Sequence, residues 1–434
     1  MSKIPHPSQK NQTNTAIFER RESNVRSYAR AMPRKFIKAQ GAWMHDSNEG
    51  HYLDFLSGCA SLNYGHNHPV LKEALMQYIA NDGIAQGLDL HTQAKADFLN
   101  AFETLILKPR QLDYRVMFTG PTGTNAVEAA IKLARKVTQR ELIVSFTNGY
   151  HGMTLGALAC TGNAEKRNGA GVPLNHVVHE PFDGYFGDNV DTADMLDKRL
   201  SDPSSGLDKP AAILLETVQG EGGLNAASTP WLCKIADIAK RHGALLIVDD
   251  IQAGCGRTNG FFSFEGMGFT PDIVTMSKSL SGMGLPFAVA LFNPNLDIWS
   301  PGEHNGTFRG NNHAFVTATA TLKHFWSDNR FITEVQQRAQ YLHARLEKMA
   351  DKYGFSTRGK GMMRGIDVAS GEMASKVTSD AFDKGLIIET SGAFDEVVKV
   401  LAPLTITEAE MAKGLDILDQ SIRHACSQQV SAAA

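Results

Sequence analysis

The chain has 434 residues, of which 42% are hydrophobic and 21% are charged, and its formal net charge is −3. This composition is typical of a globular protein of two or three domains. A charge so close to neutral gives no reason to expect nucleic acid or an anionic membrane as a partner.

The N-terminal segment, 1–16, has no apolar core and predicts a flexible lead rather than a secretory signal. No apolar run approaches the length of a membrane span. The five cysteines are scattered without a C-x-x-C pair, which favours a reduced, cytoplasmic protein without disulfides. His66 and His68 lie two residues apart, but no Cys or acidic ligand stands at a useful spacing, so we expect no metal site.

Residues 17–65 are predicted to form an arm, and 66–325 a large domain. Four short apolar runs in the large domain predict buried strands of a mostly parallel sheet: LIVSFT (142–147), AAILLETV (211–218), ALLIVDDI (244–251) and DIVTMSK (272–278). Helical patterns lie between them at 125–137 and 230–243, and the second has Thr229 as its expected cap and Gly243 as its stop. The alternation predicts an α/β fold.

The character of the chain changes after residue 325. A long amphipathic pattern over 331–354 predicts a helix, GLIIET (385–390) predicts a strand, and a last helix is expected from about Thr407. We therefore expect a smaller C-terminal α/β domain over 326–434, with the arm packed beside it.

A glycine-rich turn runs into a helix in the stretch GPTGTNAVEAAIKLAR, which starts at Gly120. The free N–H groups at the start of a helix bind phosphate, and Gly123 and Thr124 are the natural contacts. The spacing matches neither a P-loop nor G-x-G-x-x-G, so one phosphate is favoured over a nucleotide. A plain loop with a threonine cap explains the stretch equally well.

Two polar side chains end predicted strands of the sheet, where open α/β sheets place their sites. Asp249 closes one apolar strand and needs a cationic or protonated partner, with Gln252 three residues on. Lys278 ends the next strand, and a partly desolvated amine there can act as a nucleophile toward an aldehyde. Each residue also has an alternative interpretation. Asp249 could cap the next turn or bind a metal, and Lys278 could extend its ammonium group to solvent.

Together the three features describe one ligand with a phosphate, a basic ring nitrogen and an aldehyde. That ligand is pyridoxal phosphate, whose pyridine nitrogen an aspartate keeps protonated. An aromatic side chain should cover the ring, and NGYHG (148–152) supplies Tyr150, with His151 beside it.

Seven stretches occur in an order that resembles the class III (ω-amino acid) aminotransferases of fold-type I: DFLSGCASLNYGHNHP, GPTGTNAVEAAIKLAR, NGYHG, ETVQGEGG, VDDIQAGCGRT, SKSLSG and GTFRGNN. The resemblance runs from about residue 17 to 423. It implies a large domain with a mostly parallel sheet, a smaller C-terminal domain, and a homodimer or homotetramer.

The resemblance also implies roles for single residues. Lys278 would form the Schiff base with the cofactor and move the proton. Asp249 would pair with the ring nitrogen, Gln252 would lie near the ring hydroxyl, and Tyr150 would stack on the ring. Gly123 and Thr124 would hold the phosphate, Thr307 would reach the phosphate of the neighbouring subunit, and Glu221 would lie near the substrate. Arg309 could bind phosphate or a substrate carboxylate, or brace the subunit interface.

Three positions depart from the better-known branches of this family. Met153 stands where many relatives carry an arginine for the distal carboxylate of 2-oxoglutarate. Lys399 replaces the arginine that usually pairs with the glutamate equivalent to Glu221, and a lysine does not make the same bidentate clamp. Cys59 replaces a substrate-facing tyrosine.

Several stretches, GLIIETSG among them, are closest to the branch that opens ectoine synthesis. That resemblance implies a reversible transfer of an amino group, in which L-2,4-diaminobutyrate and 2-oxoglutarate give L-aspartate 4-semialdehyde and L-glutamate. Ornithine, 4-aminobutyrate or a diamine are the alternative substrates. Another reaction on the same cofactor, and a non-enzymatic binding protein, are the alternative functions, because fold does not fix chemistry.

Overall fold

The computed structural model describes residues 15–187 and 189–433. The predicted lead therefore lies outside the described residues up to position 14. The strands are β1 (Phe36–Gln40), β2 (Trp43–Asp46), β3 (His51–Asp54), β4 (Arg115–Gly120), β5 (Ile143–Phe146), β6 (Val177–Glu180), β7 (Ala212–Leu215), β8 (Val218–Gln219), β9 (Asn225–Ala226), β10 (Leu245–Asp249), β11 (Ile273–Met276), β12 (Ala288–Phe292), β13 (Ser356–Lys360), β14 (Met363–Asp367), β15 (Leu386–Ile387), β16 (Glu389–Ser391) and β17 (Val397–Val400).

The α-helices are α1 (15–21), α2 (Tyr28–Ala31), α3 (Ser57–Ala60), α4 (Pro69–Ala80), α5 (Gln93–Phe102), α6 (Gly123–Thr138), α7 (Leu155–Cys160), α8 (Ala164–Asn168), α9 (Thr192–Ser201), α10 (Thr229–His242), α11 (Asn312–Phe325), α12 (Arg330–Tyr353), α13 (Gly371–Asp383) and α14 (Glu408–Ala433). A π-helical turn (Glu103–Leu107) and four 3-10 turns (Lys108–Arg110, Lys278–Ser281, Pro294–Leu296 and Thr307–Gly310) complete the regular structure of the described residues.

Seven strands form the central sheet in the order β4-β12-β11-β10-β7-β5-β6. All neighbours in it are parallel except β12, which runs antiparallel to both β11 and β4. The four predicted strands are β5, β7, β10 and β11, and the prediction of a mostly parallel sheet is confirmed. Every residue of β5, β7, β11 and β12 is buried.

Helices cover both faces of this sheet, as parallel strands require. α6 packs its apolar stripe, which includes Val127, Ala130 and Ile131, on one face. α10 packs Ile235 and Ile238 on the other face. The carboxyl ends of the strands are thereby left as the open edge of the layer.

The ends of α10 show why the sequence marks them well. Gly243 takes a left-handed conformation, with φ of 65°, and ends the helix as predicted. The cap was predicted one residue too late, because Ser228, not Thr229, accepts the hydrogen bond from Trp231 N at 3.4 Å. A serine before Thr-Pro satisfies the same free N–H group.

Two four-stranded sheets flank the central one, and β8 and β9 form a separate two-stranded antiparallel sheet. The arm forms an antiparallel meander, β1-β2-β3, to which β15 from the C-terminal part adds in parallel. A second sheet has the order β13-β14-β17-β16 and is antiparallel throughout. The single strand predicted over 385–390 is therefore wrong: its two halves, β15 and β16, join different sheets. The domain boundaries at 65 and 325 stay predictions.

Within the described residues, no helix is both long and apolar enough to cross a membrane. All five cysteines are free.

Candidate active site

A cavity of about 310 Å³ opens at the carboxyl ends of β10 and β11. Its lining contains seven of the predicted site residues, which come from five separate parts of the chain: Gly123, Thr124, Tyr150, Glu221, Asp249, Gln252 and Lys278. The strand-end positions explain this convergence, because parallel strands bring their carboxyl ends to one edge.

Lys278 lies two residues beyond β11, at the start of the 3-10 turn, and is half-buried. Its φ is 49°, a left-handed conformation that costs a non-glycine residue free energy and is typical of functional positions. Hydrogen bonds of its two neighbours hold it there: Ser277 Oγ donates to Phe287 O at 2.8 Å, and Ser279 Oγ donates to Ala60 O at 2.7 Å.

Asp249 is 4% exposed and has two side-chain partners. Its Oδ2 lies 2.8 Å from His151 Nδ1, and its Oδ1 accepts from Thr275 Oγ1 at 3.2 Å. Burial by itself lowers the pKa of His151, but the hydrogen bond and the charge of Asp249 raise it above its ordinary value. The pair can therefore hold a proton and still present a carboxylate to the cavity.

The next residue, Asp250, takes a structural role. It accepts hydrogen bonds from Ser263 N at 3.3 and 3.1 Å, outside the residues that line the cavity. Burial raises the pKa of Asp250 to about 7. Of the two acids that end the strand, only Asp249 is placed for chemistry.

The start of α6 forms the other end of the cavity. Its first N–H groups have no intrahelical partner, and Gly123 and Thr124 are the first two residues of the helix. A Cβ on Gly152, whose φ is 132°, would lie 2.3 Å from Thr124 Oγ1, so only glycine permits this approach. Thr124 Oγ1 lies 2.6 Å from Thr154 Oγ1, which donates to Glu128 Oε1 at 2.6 Å.

Glu216 is a site residue that the sequence analysis did not single out, although it stands in the quoted stretch ETVQGEGG. It accepts from Tyr150 N at 3.0 Å and from Gly220 N at 3.2 Å, and so ties the predicted ring-stacking residue to the loop that carries Glu221. Burial, with a smaller contribution from Asp249, raises its pKa to about 7. The sequence signal that could have identified Glu216 is an acidic residue directly after a buried apolar strand.

The cavity fits the group that the sequence predicts. Gln252 Oε1 is buried and has no hydrogen-bond partner, while Gln252 Nε2 donates to Glu221 Oε1 at 3.2 Å. A free acceptor, a carboxylate, an amine and a helix start around one apolar cavity match the hydroxyl, ring nitrogen, aldehyde and phosphate of pyridoxal phosphate.

Beside the cavity lies a cluster of charged residues that we call the lysine triad: Lys399, Glu221 and Glu389. Lys399 Nζ is 2.9 Å from an oxygen of each carboxylate. Burial opposes the charge of Glu221, but Lys399 and then Lys278 lower its pKa to about 2. Glu389 was not predicted as a site residue.

Thr307 and Arg309 do not join this cavity within the chain. Thr307 is exposed, and Arg309 forms an ion pair with Asp89 at 2.5 Å on another part of the surface. Met153 is 53% exposed at the cavity, so no cation occupies the position of the family's arginine.

Among the described residues, no group of three or more potential ligands could hold a metal ion.

Comparison with protein families matches residues 25–422 to the family described as Aminotransferase class-III. A diaminobutyrate–2-oxoglutarate transaminase of Vibrio parahaemolyticus is 55% identical over 409 residues, which cover 94% of this chain and 97% of the relative. One from Halomonas elongata is 55% identical over 419 residues, which cover 95% of this chain and 100% of the relative.

Solved structures show the same fold. The ornithine aminotransferase of Toxoplasma gondii superimposes with a TM-score of 0.84 at 23% identity, over 98% of this chain and 97% of that one. Another crystal structure of that enzyme has pyridoxal phosphate at partial occupancy in its active site. A transaminase of Virgibacillus superimposes with a TM-score of 0.86 at 18% identity, over 96% and 100% of the two chains.

Proposed function

Because the chain belongs to the class III aminotransferases, we propose that it interconverts L-2,4-diaminobutyrate and 2-oxoglutarate with L-aspartate 4-semialdehyde and L-glutamate. The relatives that carry this activity in their names are 51% to 56% identical over nearly the whole chain. The observation that carries the proposal is the half-buried Lys278 in one cavity with the Asp249–His151 pair.

Membership of the family confirms the predicted transaminase activity, the pyridoxal phosphate cofactor and the fold type. The single-residue roles stay proposals that rest on the geometry. Gly123 and Thr124 bind the phosphate with backbone N–H groups, Tyr150 covers the ring, and Asp249 pairs with its nitrogen.

Bound pyridoxal phosphate supplies an aldehyde that condenses with amines and a ring that takes up electrons. The protein supplies the proton movements. Lys278 holds the cofactor at rest, and its free amine then takes the proton from the reacting carbon of the substrate. Asp249 keeps a proton on the ring nitrogen, supported by His151 at 2.8 Å. Tyr150 and Ile251 exclude water from the ring faces.

The two half-reactions run through one cavity in turn. Bound pyridoxal phosphate would carry the amino group between the two: glutamate would give it up and depart as 2-oxoglutarate, and aspartate semialdehyde would then receive it and depart as diaminobutyrate. Binding of one keto or aldehyde substrate therefore requires departure of the other product, which is a ping-pong cycle.

We also propose that the enzyme is a homodimer in which Thr307 of one subunit completes the phosphate site of its partner. Its exposure and its absence from the residues that line its own cavity are the supporting observations. Arg309 braces this surface through Asp89. A cytoplasmic location, a place in ectoine synthesis and further association into tetramers stay predictions.

The test is an amino-donor panel with 2-oxoglutarate as the acceptor, with glutamate as the measured product. We expect 2,4-diaminobutyrate to be used with the highest kcat/KM. Preference for ornithine or 4-aminobutyrate would contradict the substrate assignment and leave the family intact. Turnover without any keto acid would contradict transamination itself.

A further inference from the structure

Lys399 is buried among oxygen atoms of the protein itself. Its side chain is 0% exposed, and Nζ lies 2.9 Å from Glu221 Oε1, 2.9 Å from Glu389 Oε1 and 3.4 Å from Gly220 O. Glu221 Oε1 and Gly220 O accept hydrogen bonds from Nζ, whereas Glu389 Oε1 is held by charge and accepts no hydrogen bond. The lysine that replaces the family's arginine therefore serves the protein's own carboxylates in this arrangement.

The lysine triad carries one negative charge in excess, because two carboxylates share one ammonium. The second oxygen of Glu389 has only neutral partners: Tyr28 Oη donates to Oε2 at 3.2 Å, and Cys59 Sγ lies 3.8 Å from it. Glu389 is 9% exposed. An excess carboxylate held out of water is costly unless a second cation reaches it. The charge of Lys278 acts on the triad from the neighbouring cavity, but it is available only while the amine of Lys278 is free and protonated.

A cavity of about 610 Å³ has Glu389 among its lining residues. Tyr28, which is 45% exposed, Glu389 and Glu221 are among its lining residues. Glu221 also lines the cavity that contains Lys278, so this residue borders both cavities. Glu221 Oε1 and Glu389 Oε1 each lie 2.9 Å from Lys399 Nζ, so a substrate group bound beside Glu221 is also near Glu389.

We infer that Glu389, oriented by the hydroxyl of Tyr28, binds the second, non-reacting ammonium group of a diamino acid substrate. This inference rests on the proposed function. The reacting amine of 2,4-diaminobutyrate is on C4, and its C2 ammonium group is the cation that the triad lacks. 4-Aminobutyrate is the same molecule without that group, so it leaves the excess charge uncompensated.

The inference makes Glu389 the source of discrimination between these two amines. A hydrogen bond to a charged group contributes about 1.5–3 kcal/mol, which corresponds to about 10- to 150-fold in kcat/KM. The Glu389→Gln variant keeps the size of the side chain and leaves Lys399 its partner Glu221. The ratio of kcat/KM for diaminobutyrate to that for 4-aminobutyrate should therefore fall at least about tenfold, through KM for diaminobutyrate.

The matched control is Glu372→Gln. Glu372 lines the same cavity, but it is exposed and forms its ion pair with Lys376 on the surface of α13. Its loss should leave the ratio within about twofold of the wild-type value. KM for glutamate, whose only ammonium group is the reacting one, should change little in either variant.

An unchanged ratio in Glu389→Gln with normal cofactor absorbance would overturn the inference. A wild-type enzyme that does not use diaminobutyrate at all would overturn the proposed function instead. If the variant does not fold, the wild-type enzyme decides with 4-amino-2-hydroxybutyrate, which keeps the size of diaminobutyrate and lacks its second charge. Its kcat/KM should be at least about tenfold lower than that of diaminobutyrate. An equal kcat/KM would contradict recognition of the second charge by Glu389.

Discussion

The two adjacent acids at the end of β10, Asp249 and Asp250, have different roles, and a pair of matched variants can distinguish these roles. Asp249 faces the cavity and His151, whereas Asp250 accepts from Ser263 N. Asp249→Asn removes the negative charge that keeps a proton on the ring nitrogen of the cofactor. We therefore expect kcat to fall on the order of 100-fold, as for loss of a positioned proton-transfer group. Asp250→Asn should lower the melting temperature and leave kcat within a few-fold. Equal kcat losses in the two variants would contradict this division. The measurement is the rate of the glutamate half-reaction.

Glu216 should make the folded protein less stable as the pH rises. Burial raises its pKa from 4.5 to about 7, so the folded state binds the proton more tightly than the unfolded state does. Between these two values the free energy of unfolding therefore decreases with pH, and stability that is present below about pH 4.5 is lost through about pH 7.

The Glu216→Gln variant removes this titration. It also replaces one acceptor, which Tyr150 N or Gly220 N needs, at a pH-independent cost of about 1–3 kcal/mol. Melting temperatures measured at several pH values from 5 to 8 should fall more steeply for the wild type than for the variant. Parallel pH profiles would show that Glu216 keeps an ordinary pKa.

The residues at strand ends could be predicted from the sequence, and Glu221 and Lys399 of the triad from the resemblance, whereas Glu389 and its contact with Tyr28 could not. Asp249 and Lys278 end apolar runs, and the geometry of a parallel sheet brings such ends together. Tyr28 meets Glu389 across 361 positions of sequence, through packing of the arm on the C-terminal part. No spacing rule encodes that contact.

At the scale of elements, apolar runs predicted burial but not the partner of each strand. Leu386, Ile387 and Glu389 in the run GLIIET are buried, yet β15 pairs with β3 and β16 pairs with β17. Hydropathy reports whether a side chain leaves water, and it is silent on which sheet receives the backbone.

The short helix α3 was equally hidden from the sequence. Four successive residues, 57–60, have φ between 48° and 64°, so the turn is left-handed. Only Gly58 accepts this conformation without cost. The turn carries Cys59, whose thiol lies 2.7 Å from the hydroxyl of Tyr28. The strain therefore falls beside the triad, as is common at functional sites.

One buried arginine joins three parts of the chain and should be costly to replace. Arg257 is 0% exposed; Nη1 donates to Ala402 O at 2.6 Å and to Met362 O at 3.2 Å, and Nη2 donates to Asn63 Oδ1 at 2.5 Å. Arg257→Gln leaves carbonyl groups of the C-terminal part unpaired. We expect the free energy of unfolding to fall by at least about 3 kcal/mol, since hydrogen bonds to charged groups contribute about 1.5–3 kcal/mol each.

The control for this tie is a surface arginine. Arg241 forms an ion pair with Asp197 at 2.8 Å, and its side chain is largely exposed. Arg241→Gln should cost about 1 kcal/mol or less. Urea denaturation compares the two variants, and an equal cost would show that the buried contacts of Arg257 contribute no more than a surface pair.

At the scale of the whole molecule, one chain leaves apolar side chains uncovered near Thr307. Phe308 is 64% exposed, and Leu88 and Leu90, in the segment that holds Asp89, are 48% and 65% exposed. The two segments touch through Gly87 N, which donates to Gly310 O at 2.9 Å. Exposed apolar groups gathered in this way are typical of an interface. These exposed side chains support the proposed homodimer. In the sequence, only the resemblance to the family indicated a homodimer.

A mixture of two defective variants tests whether Thr307 acts across that interface. Lys278→Ala should be inactive, and Thr307→Val should bind pyridoxal phosphate at least about tenfold more weakly, since it loses a hydrogen bond to a charged group. In a mixed dimer, the subunit with Lys278 receives the intact Thr307 of its partner. After unfolding and refolding together at limiting cofactor, about a quarter of the wild-type activity should return, because half of the dimers are mixed and each has one complete site. If Thr307 served its own subunit, no site in any dimer would combine both intact residues, and an equal mixture would show about half the activity of Thr307→Val alone at the same total protein.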